Sequence, residues 1–443
     1  MADVNDPSGI GPRLRKEWGR LEDAAIDDAD REAIEAFVVW RRDIDGVARN
    51  TRINDLKHLR LAALRSETPL LEMSQTDVER LLSVLQRPKA RGGYGLDADG
   101  ASMYSYTRVL RIYFRYLDAR APWPDFPFHE AIELADVEMQ GSSNREAMLT
   151  GDEIEQLKDA ATHPRDRALI ALLGDIGGRI TMVLSLRVGD VHADGDEPYI
   201  EPNTDVVDGL KNLAVEQIPL LHSRGEIRAW LNRHHPDRDT DVAPLWPKIR
   251  GYDPDHPQES ATSASRIRDV LRQCGERAGL TKTVEPHTFR RTAATRLSNA
   301  ERLNPQEIAQ ITGWSTTTIH EMLEVYDYTT DEERNSAIHA ALGFSDGPDA
   351  GTDSDLELDS VVCGTCDEHY SGARFCPRCG APRDEEARSL QRDLDETAGD
   401  RVVDADSTAE AATVEALRSW ARDHPERAVE ALMDGAELGD DHE

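Results

Sequence analysis

The sequence predicts a mainly α protein in three parts. A helical domain comes first, then a mixed α/β domain that is mostly helical around a small antiparallel sheet, then a small cysteine ribbon. Three observations carry this. Apolar residues recur at helical spacing through residues 29–120. Helical patterns resume after a Pro/Gly/Ser-rich stretch, interrupted by two short strand-like runs, PYIEPN and AVEQIPLL. Two Cys-x-x-Cys pairs then follow an acidic stretch.

At 443 residues the chain is too long for one ordinary core, and 39% hydrophobic content supports several folded domains. It contains no run of 18 apolar residues, so no membrane span is expected. The opening MADVNDPSGIGPR lacks the apolar core of a signal peptide. The expected location is the cytoplasm.

Residues 1–28 are polar and acidic, with Pro7, Gly9, Gly11 and Pro12, and read as a flexible acidic arm with a short helix around 14–21. The helical domain spans 29–122. There REAIEAFVVWRRDI puts Ile34, Phe37, Val38 and Arg41 at helical spacing. Asn50 and Thr51 can cap a second helix carrying Ile53, Leu56, Leu59 and Leu61. Ser74 and Asp77 form a capping box at the start of a third, and RGGYGLDADG is a loop. A fourth helix over 102–119 collects Val109, Leu110, Tyr113, Phe114 and Leu117 on one side. Arg108, Arg111, Arg115 and Arg120 recur roughly opposite. Such a stripe can lie along a phosphate backbone or can simply be a solvated face.

Residues 123–146 are a Pro- and Ser-containing linker with a short helix near 129–137. The second domain, 147–344, opens on a Thr150–Glu153 capping box. DRALIALLGDIGGRITMVLSL then reads as an apolar helix, a glycine break and a second helix. Two strands flank a turn containing Gly209, and helical patterns return from Glu226. Residues 345–360 are an acidic linker, 361–383 hold the cysteine pairs, and 384–443 form an acidic tail, helical or disordered.

The second domain holds residue types that suit a phosphodiester. Arg179 follows Gly177 and Gly178 at a helix start, where exposed N–H groups and a guanidinium fork favour an anion. Lys211 lies in the turn between the two strands, and a lysine can release a proton where arginine cannot. His287 and Arg290, at i and i+3 after Pro286, share one helix face. Trp314 follows Gly313 and offers an indole N–H donor. Tyr326 and Tyr328 come last; with a free pKa of about 10, a tyrosine needs a base and a cationic setting to attack at neutral pH. Singly, each has a bland reading as helix punctuation, surface lysine or core tryptophan.

Taken together, G-R-I-x-x-x-L-S-L at Arg179, HTFRRTAAT at His287, the Gly313-Trp314 pair and the M-x-x-x-Y spacing from Met322 to Tyr326 resemble the catalytic half of the tyrosine recombinases, the phage integrase family. The resemblance covers roughly 29–344 and is most specific in 170–330. It implies a site-specific recombinase or integrase that cuts and rejoins DNA through a 3′-phosphotyrosyl bond, without ATP and without a catalytic metal. Tyr326 would be the nucleophile, and Arg179, Arg290, His287 and Trp314 would surround the phosphate. Lys211 would protonate the 5′ leaving oxygen. Residues 29–122 would be the core-binding domain that clamps DNA, with Arg108, Arg111, Arg115 and, further on, Arg291 as DNA contacts. The implied partners are double-stranded DNA at specific recombination sites and further copies of the chain, assembled as a tetramer on DNA. Met182 stands where many members carry an acidic residue, Arg291 where His is frequent, and the interval from Trp314 to Tyr326 is slightly long. These departures keep a second reading alive, a catalytically inactive recombinase-like DNA-binding regulator or accessory factor. A zinc-ribbon scaffold unrelated to DNA cleavage is a third.

A formal charge of -33 is unusual beside a DNA partner. Only seven of the 52 basic residues are lysine, and this acid-rich, Lys-poor balance resembles proteins of salt-loving archaea. In molar salt the Debye length falls to about 3 Å, so distant carboxylates barely repel DNA. Counterion release contributes little there, and clustered arginines must bind by direct contact.

Cys363, Cys366, Cys376 and Cys379 form two CxxC knuckles separated by nine residues, a spacing that closes a tetrahedral structural Zn2+ site. In a module with almost no core, the metal would supply folding energy. The remaining cysteine, Cys274, reads as a buried thiol on a helix.

Overall fold

The computed structural model describes residues 3–120, 122–134, 147–195, 197–210, 213, 215–298, 303–315, 319, 361–366, 369–370, 374–376, 379–384, 387–389 and 392. The chain forms two compact units. One comprises Gly9–Ser142 with Val206–Gly209, the other Met1–Ser8, Ser143–Asp205 and Leu210–Glu443.

The first unit is helical: α1 (Ile10–Glu22), α2 (Asp28–Asp43), α3 (Arg49–Arg65), α4 (Gln75–Gln86) and α5 (Ala101–Asp118). Local chemistry starts two of them. The Asp27 carboxylate accepts from the Ala29 N–H at the head of α2, and Ser74 and Asp77 complete the expected capping box of α4. The α3 start differs from expectation. Asn50 and Thr51 lie inside the helix, and the Asn50 N–H donates 3.1 Å to the carboxylate of Asp208, a residue far along the chain. Phe37, Leu56, Leu59, Leu110, Tyr113 and Phe114 are fully buried in one core, with Phe37 meeting Tyr113 and Tyr116 edge-on at 5.4 and 5.3 Å. Arg120 departs from the arginine stripe, because its guanidinium lies over Trp40 and Tyr116, 4.6 and 4.7 Å from their ring centres. Arg108 and Arg111 are half-buried, and Arg115 is exposed.

Arg41 occupies the buried face of α2 because it has a partner there. Its Nε donates 3.0 Å to Asp55, and both side chains are almost wholly enclosed. Burial raises the Asp55 carboxyl above the usual carboxylate range, and Arg41 opposes this.

The second unit holds α6 (Gly151–Asp159), α7 (Pro164–Ile176), α8 (Ile180–Leu184), β1 (Val191–His192), β2 (Tyr199–Ile200), β3 (Ile218–Pro219), α9 (Arg224–Arg233), α10 (Ala264–Arg277), α11 (Pro286–Ser298) and α12 (Pro305–Thr312). Thr150 and Glu153 form the expected capping box of α6. Helix α7 is buried nearly all round and packs against α6, α9 and α11. Trp246 and Trp230 are buried beside it, donating from Nε1 to the Val183 and Leu245 carbonyls at 2.8 and 2.9 Å. The sheet runs β1-β2-β3, antiparallel throughout, with Val191 opposite Ile200 and Ile200 opposite Ile218. Strand β1 was not foreseen. Cys274 is fully buried on α10, as expected.

Residues 3–8 do not form a free arm in this structure. Val4 is fully buried and its N–H donates 2.9 Å to the Gln258 carbonyl; the stretch from Ile10 to Glu22 folds into α1. The expected linker helix is a 3-10 turn, Pro127–Ala131, and residues 135–146 lie outside the described residues. In the cysteine module, β4 (Val361–Val362) pairs antiparallel with β5 (His369–Tyr370).

Replacing Arg41 with Ala would strand a buried carboxylate. The expected cost is about 3–5 kcal/mol, read as a lower urea midpoint. The deficit should shrink as pH falls, because protonating Asp55 in the folded state removes the uncompensated charge.

Candidate active site

Helix α7 ends at Gly177, which adopts the left-handed conformation (φ 56°). Glycine is required there twice over. Its φ disfavours side chains, and a Cβ would stand 2.5 Å from the Cβ of Ala293 and 3.3 Å from the Cα of Arg290. This close approach brings the end of α7 against α11. The same helix reaches the carbonyls that α7 leaves without helical partners. Arg296 donates to the Gly174 and Asp175 carbonyls at 2.9 and 2.7 Å, and Arg290 donates to that of Gly177 at 3.4 Å.

Arg179 follows two residues later as the N-cap of α8, in extended conformation and half-buried. Desolvation lowers its pKa, yet a guanidinium keeps its charge at neutral pH. Helix α8 has only five residues, shorter than the sequence suggested, so anion binding there rests on the arginine and not on a long helix dipole.

Arg290 is buried on α11, and its guanidinium carbon lies 3.7 Å from the ring centre of Trp314. Trp314 is 1% exposed, and its buried Nε1 has no hydrogen-bond partner among the described residues. A buried donor left unpaired is costly, and an acceptor brought by a ligand, by water or by another part of the chain would satisfy it. Gly313, left-handed at φ 69°, ends α12 and turns the chain so that Trp314 forms an isolated antiparallel bridge with Leu213. Leu213 stands two residues after Lys211.

His287 lies one turn before Arg290 on α11, with its ring accessible. Its pKa is lowered by partial desolvation and then by the positive charge of Arg291, with Glu285 pulling the other way and Arg290 adding a smaller lowering. Arg291 is half-buried beside it. The fold therefore draws together Gly177, Arg290 and Trp314, with Arg179 and His287 close along the chain. Lys211, Tyr326 and Tyr328 lie outside the described residues.

Two supporting residues escaped the sequence reading. Arg296 clamps the end of α7, as above. Asp175 is fully buried, and its Oδ2 accepts from the Leu221 N–H, the Ser223 N–H and the Ser223 hydroxyl at 3.0, 3.1 and 2.7 Å. It thereby holds the exit of β3 and the entry to α9. An ionisable residue inside the apolar run LIALLGDIGG was the available signal for Asp175. Arg296 carried none.

The four sulfurs of Cys363, Cys366, Cys376 and Cys379 all lie within 4.8 Å of one another. Cys363 and Cys379 are 3.6 Å apart at sulfur, as are Cys366 and Cys376. A tetrahedral zinc with Zn–S bonds of about 2.3 Å sets its sulfurs about 3.8 Å apart, so the four thiols fit that metal.

The phage integrase family model matches residues 147–331. Tyrosine recombinase XerD of Bifidobacterium longum (strain NCC 2705) is 27% identical over 202 residues, 41% of this chain, and the chain spans 59% of that protein's length. Among solved structures, the Tn1549 transposon integrase in complex with a circular intermediate DNA is 16% identical, with 71% of this chain and 99% of that one covered and a TM-score of 0.49. The XerH site-specific recombinase bound to a palindromic difH substrate is 17% identical over 77% and 98%, with a TM-score of 0.47. The family match encloses Gly177, Arg179, His287, Arg290, Trp314 and Tyr326, so residues 147–331 are similar to the phage integrase family.

Proposed function

We propose that this protein is a site-specific DNA recombinase that cuts and rejoins strands through a 3′-phosphotyrosyl intermediate. One observation carries most of the weight. A buried arginine, Arg290, is stacked on Trp314, whose indole donor is unused among the described residues, at the junction that also delivers Arg179. Two guanidinium groups and an indole N–H suit the non-bridging oxygens of a phosphodiester, where charge grows in the transition state. Tyr326 attacks phosphorus in line, forming the O–P bond as the bond to the 5′ oxygen breaks. Neutral His287 accepts the tyrosine proton, and Lys211 delivers one to the leaving oxygen. Rejoining reverses the step, so the ester energy is conserved and no ATP is used.

In this reading residues 29–122 form the core-binding domain, with Arg108, Arg111, Arg115 and Arg291 on DNA phosphates. The chain assembles as a tetramer on paired sites in the cytoplasm of a halophile. At high salt its acidic surface leaves these contacts largely unopposed. The cysteine module binds one structural Zn2+ through Cys363, Cys366, Cys376 and Cys379, and no catalytic metal takes part.

A nicked suicide duplex carrying the protein's own recombination site, in molar KCl, tests the central reading. The wild-type chain should form a covalent protein–DNA adduct that disappears in Tyr326→Phe, while Tyr326→Phe still binds. Tight binding with no wild-type adduct would instead support the inactive DNA-binding regulator, and no binding at high salt would sink both.

The electrostatics of His287 give a second test. A neutral base is needed, so the acidic limb of the cleavage rate should fall below the ordinary histidine value of about 6.5. Arg291→Gln removes a neighbouring positive charge, so it should move that limb towards higher pH. A limb that stays put in a single-turnover pH profile contradicts the electrostatic effect of Arg291 on His287 as the base.

Metal analysis by mass spectrometry should find one zinc per chain, reduced to background in Cys376→Ser. Chelation should unfold the ribbon alone and leave the melting of the catalytic unit in place.

A further inference from the structure

The short helix α8 places Arg179, and five residues cannot hold a helix on their own, because the first turn is costly to nucleate. Something outside α8 must fix it. At its start, Thr181 Oγ1 shares a hydrogen bond with Ser8 Oγ at 3.1 Å, across 173 positions of sequence. At its end, the Ser185 carbonyl accepts from Asn203 Nδ2 at 2.9 Å. The same amide nitrogen donates to Asn5 Oδ1 at 2.9 Å, and Asn203 Oδ1 accepts from the Asp205 N–H at 2.9 Å.

Asn203 is 1% exposed, so both of its N–H bonds are made inside the protein. Without Asn5 one of them would be a buried donor with its acceptor lost. The segment carrying Asn5 and Ser8 is itself anchored. Val4 is fully buried and its N–H donates to the Gln258 carbonyl, while the Pro7 carbonyl accepts from the Ala264 N–H at 3.0 Å. Ala264 is the first residue of α10, which packs against α8. Helix α8 contains no acidic residue, and Met182 is buried.

We infer that residues 3–8 are an internal strap that braces α8 at both ends, and that Asn5 and Ser8 are positioning residues for Arg179. This rests on the recombinase reading of Arg179. The strap touches neither DNA nor the reacting phosphorus; it acts by holding the arginine where the phosphate arrives. A misplacement of about 1 Å at a positioned group can cost up to 100-fold in rate, and losing two tethers should cost about tenfold.

The test uses the full chain with Asn5→Ala, Ser8→Ala, the double variant and the conservative Ser8→Thr. Four quantities are measured: the single-turnover rate of adduct formation on the nicked duplex, the Kd for that duplex, hydrogen exchange at the α8 amides, and the unfolding midpoint. The double variant should cleave about tenfold more slowly, with Kd changed less than twofold and α8 exchanging faster, and Ser8→Thr should keep the wild-type rate. An unchanged rate, or a rate that falls only in proportion to the folded fraction or to lost affinity, overturns the assignment. Should the wild-type chain form no adduct, the recombinase reading fails and takes the catalytic role of the strap with it. The exchange data then judge the brace separately: faster exchange upholds it and unchanged exchange refutes it.

Discussion

The candidate site depends on how closely α11 approaches the end of α7. The left-handed Gly177 removes the one Cβ that would collide with Ala293, and the helices then meet at backbone distance. Carbonyls at the end of a helix need donors, and the helix dipole makes that end favourable for cations. Arg290 and Arg296 meet both needs at once. A structural demand and a chemical one therefore converge. The contact that closes α7 also sets a guanidinium against Trp314 and beside the chain that bears Arg179. From the same end of α7, Asp175 gathers Leu221 and Ser223, so β3 and α9 are referenced to the junction as well.

The acidity of the chain looks adverse to this cationic centre, and the proposed high-salt setting would remove the conflict. Screening in salt weakens exposed pairs most and enclosed pairs least. The fold places several of its ion pairs where salt cannot reach. Arg41 with Asp55, and Lys158 with Glu226 at 2.6 Å, are almost wholly enclosed. The apolar cores are likewise strengthened rather than weakened by excluded salts. A chain of this composition can thus keep its architecture in a medium where its surface charge is largely silenced.

What was legible in the sequence was local. The capping boxes at Ser74 and Thr150 involve residues three apart, and their geometry follows from backbone rules alone. The i, i+3 relation of His287 and Arg290 needed only a helix starting at Pro286. What was misread was nonlocal. The start of α3 takes its acceptor from Asp208, so a plausible local cap at Asn50 is not used. The opening residues look like an arm because Pro, Gly and Asp dominate them, yet Val4 finds a socket more than 250 positions away. Arg120 leaves its stripe because two aromatic rings lie within its reach.

By itself the sequence determined the class of elements, the cysteine spacing and the inventory of residue types that a phosphodiester site would need, since each is a matter of residue type and short-range period. Only the tertiary structure decided that Gly177 is an obligate contact and not mere punctuation, that Trp314 lies under Arg290, and that a five-residue helix bearing Arg179 is held by residues from the start of the chain. The physical reason is the same in each case. Burial, stacking and hydrogen-bond completion depend on which distant surfaces meet, and periodicity along one segment carries no record of its partner.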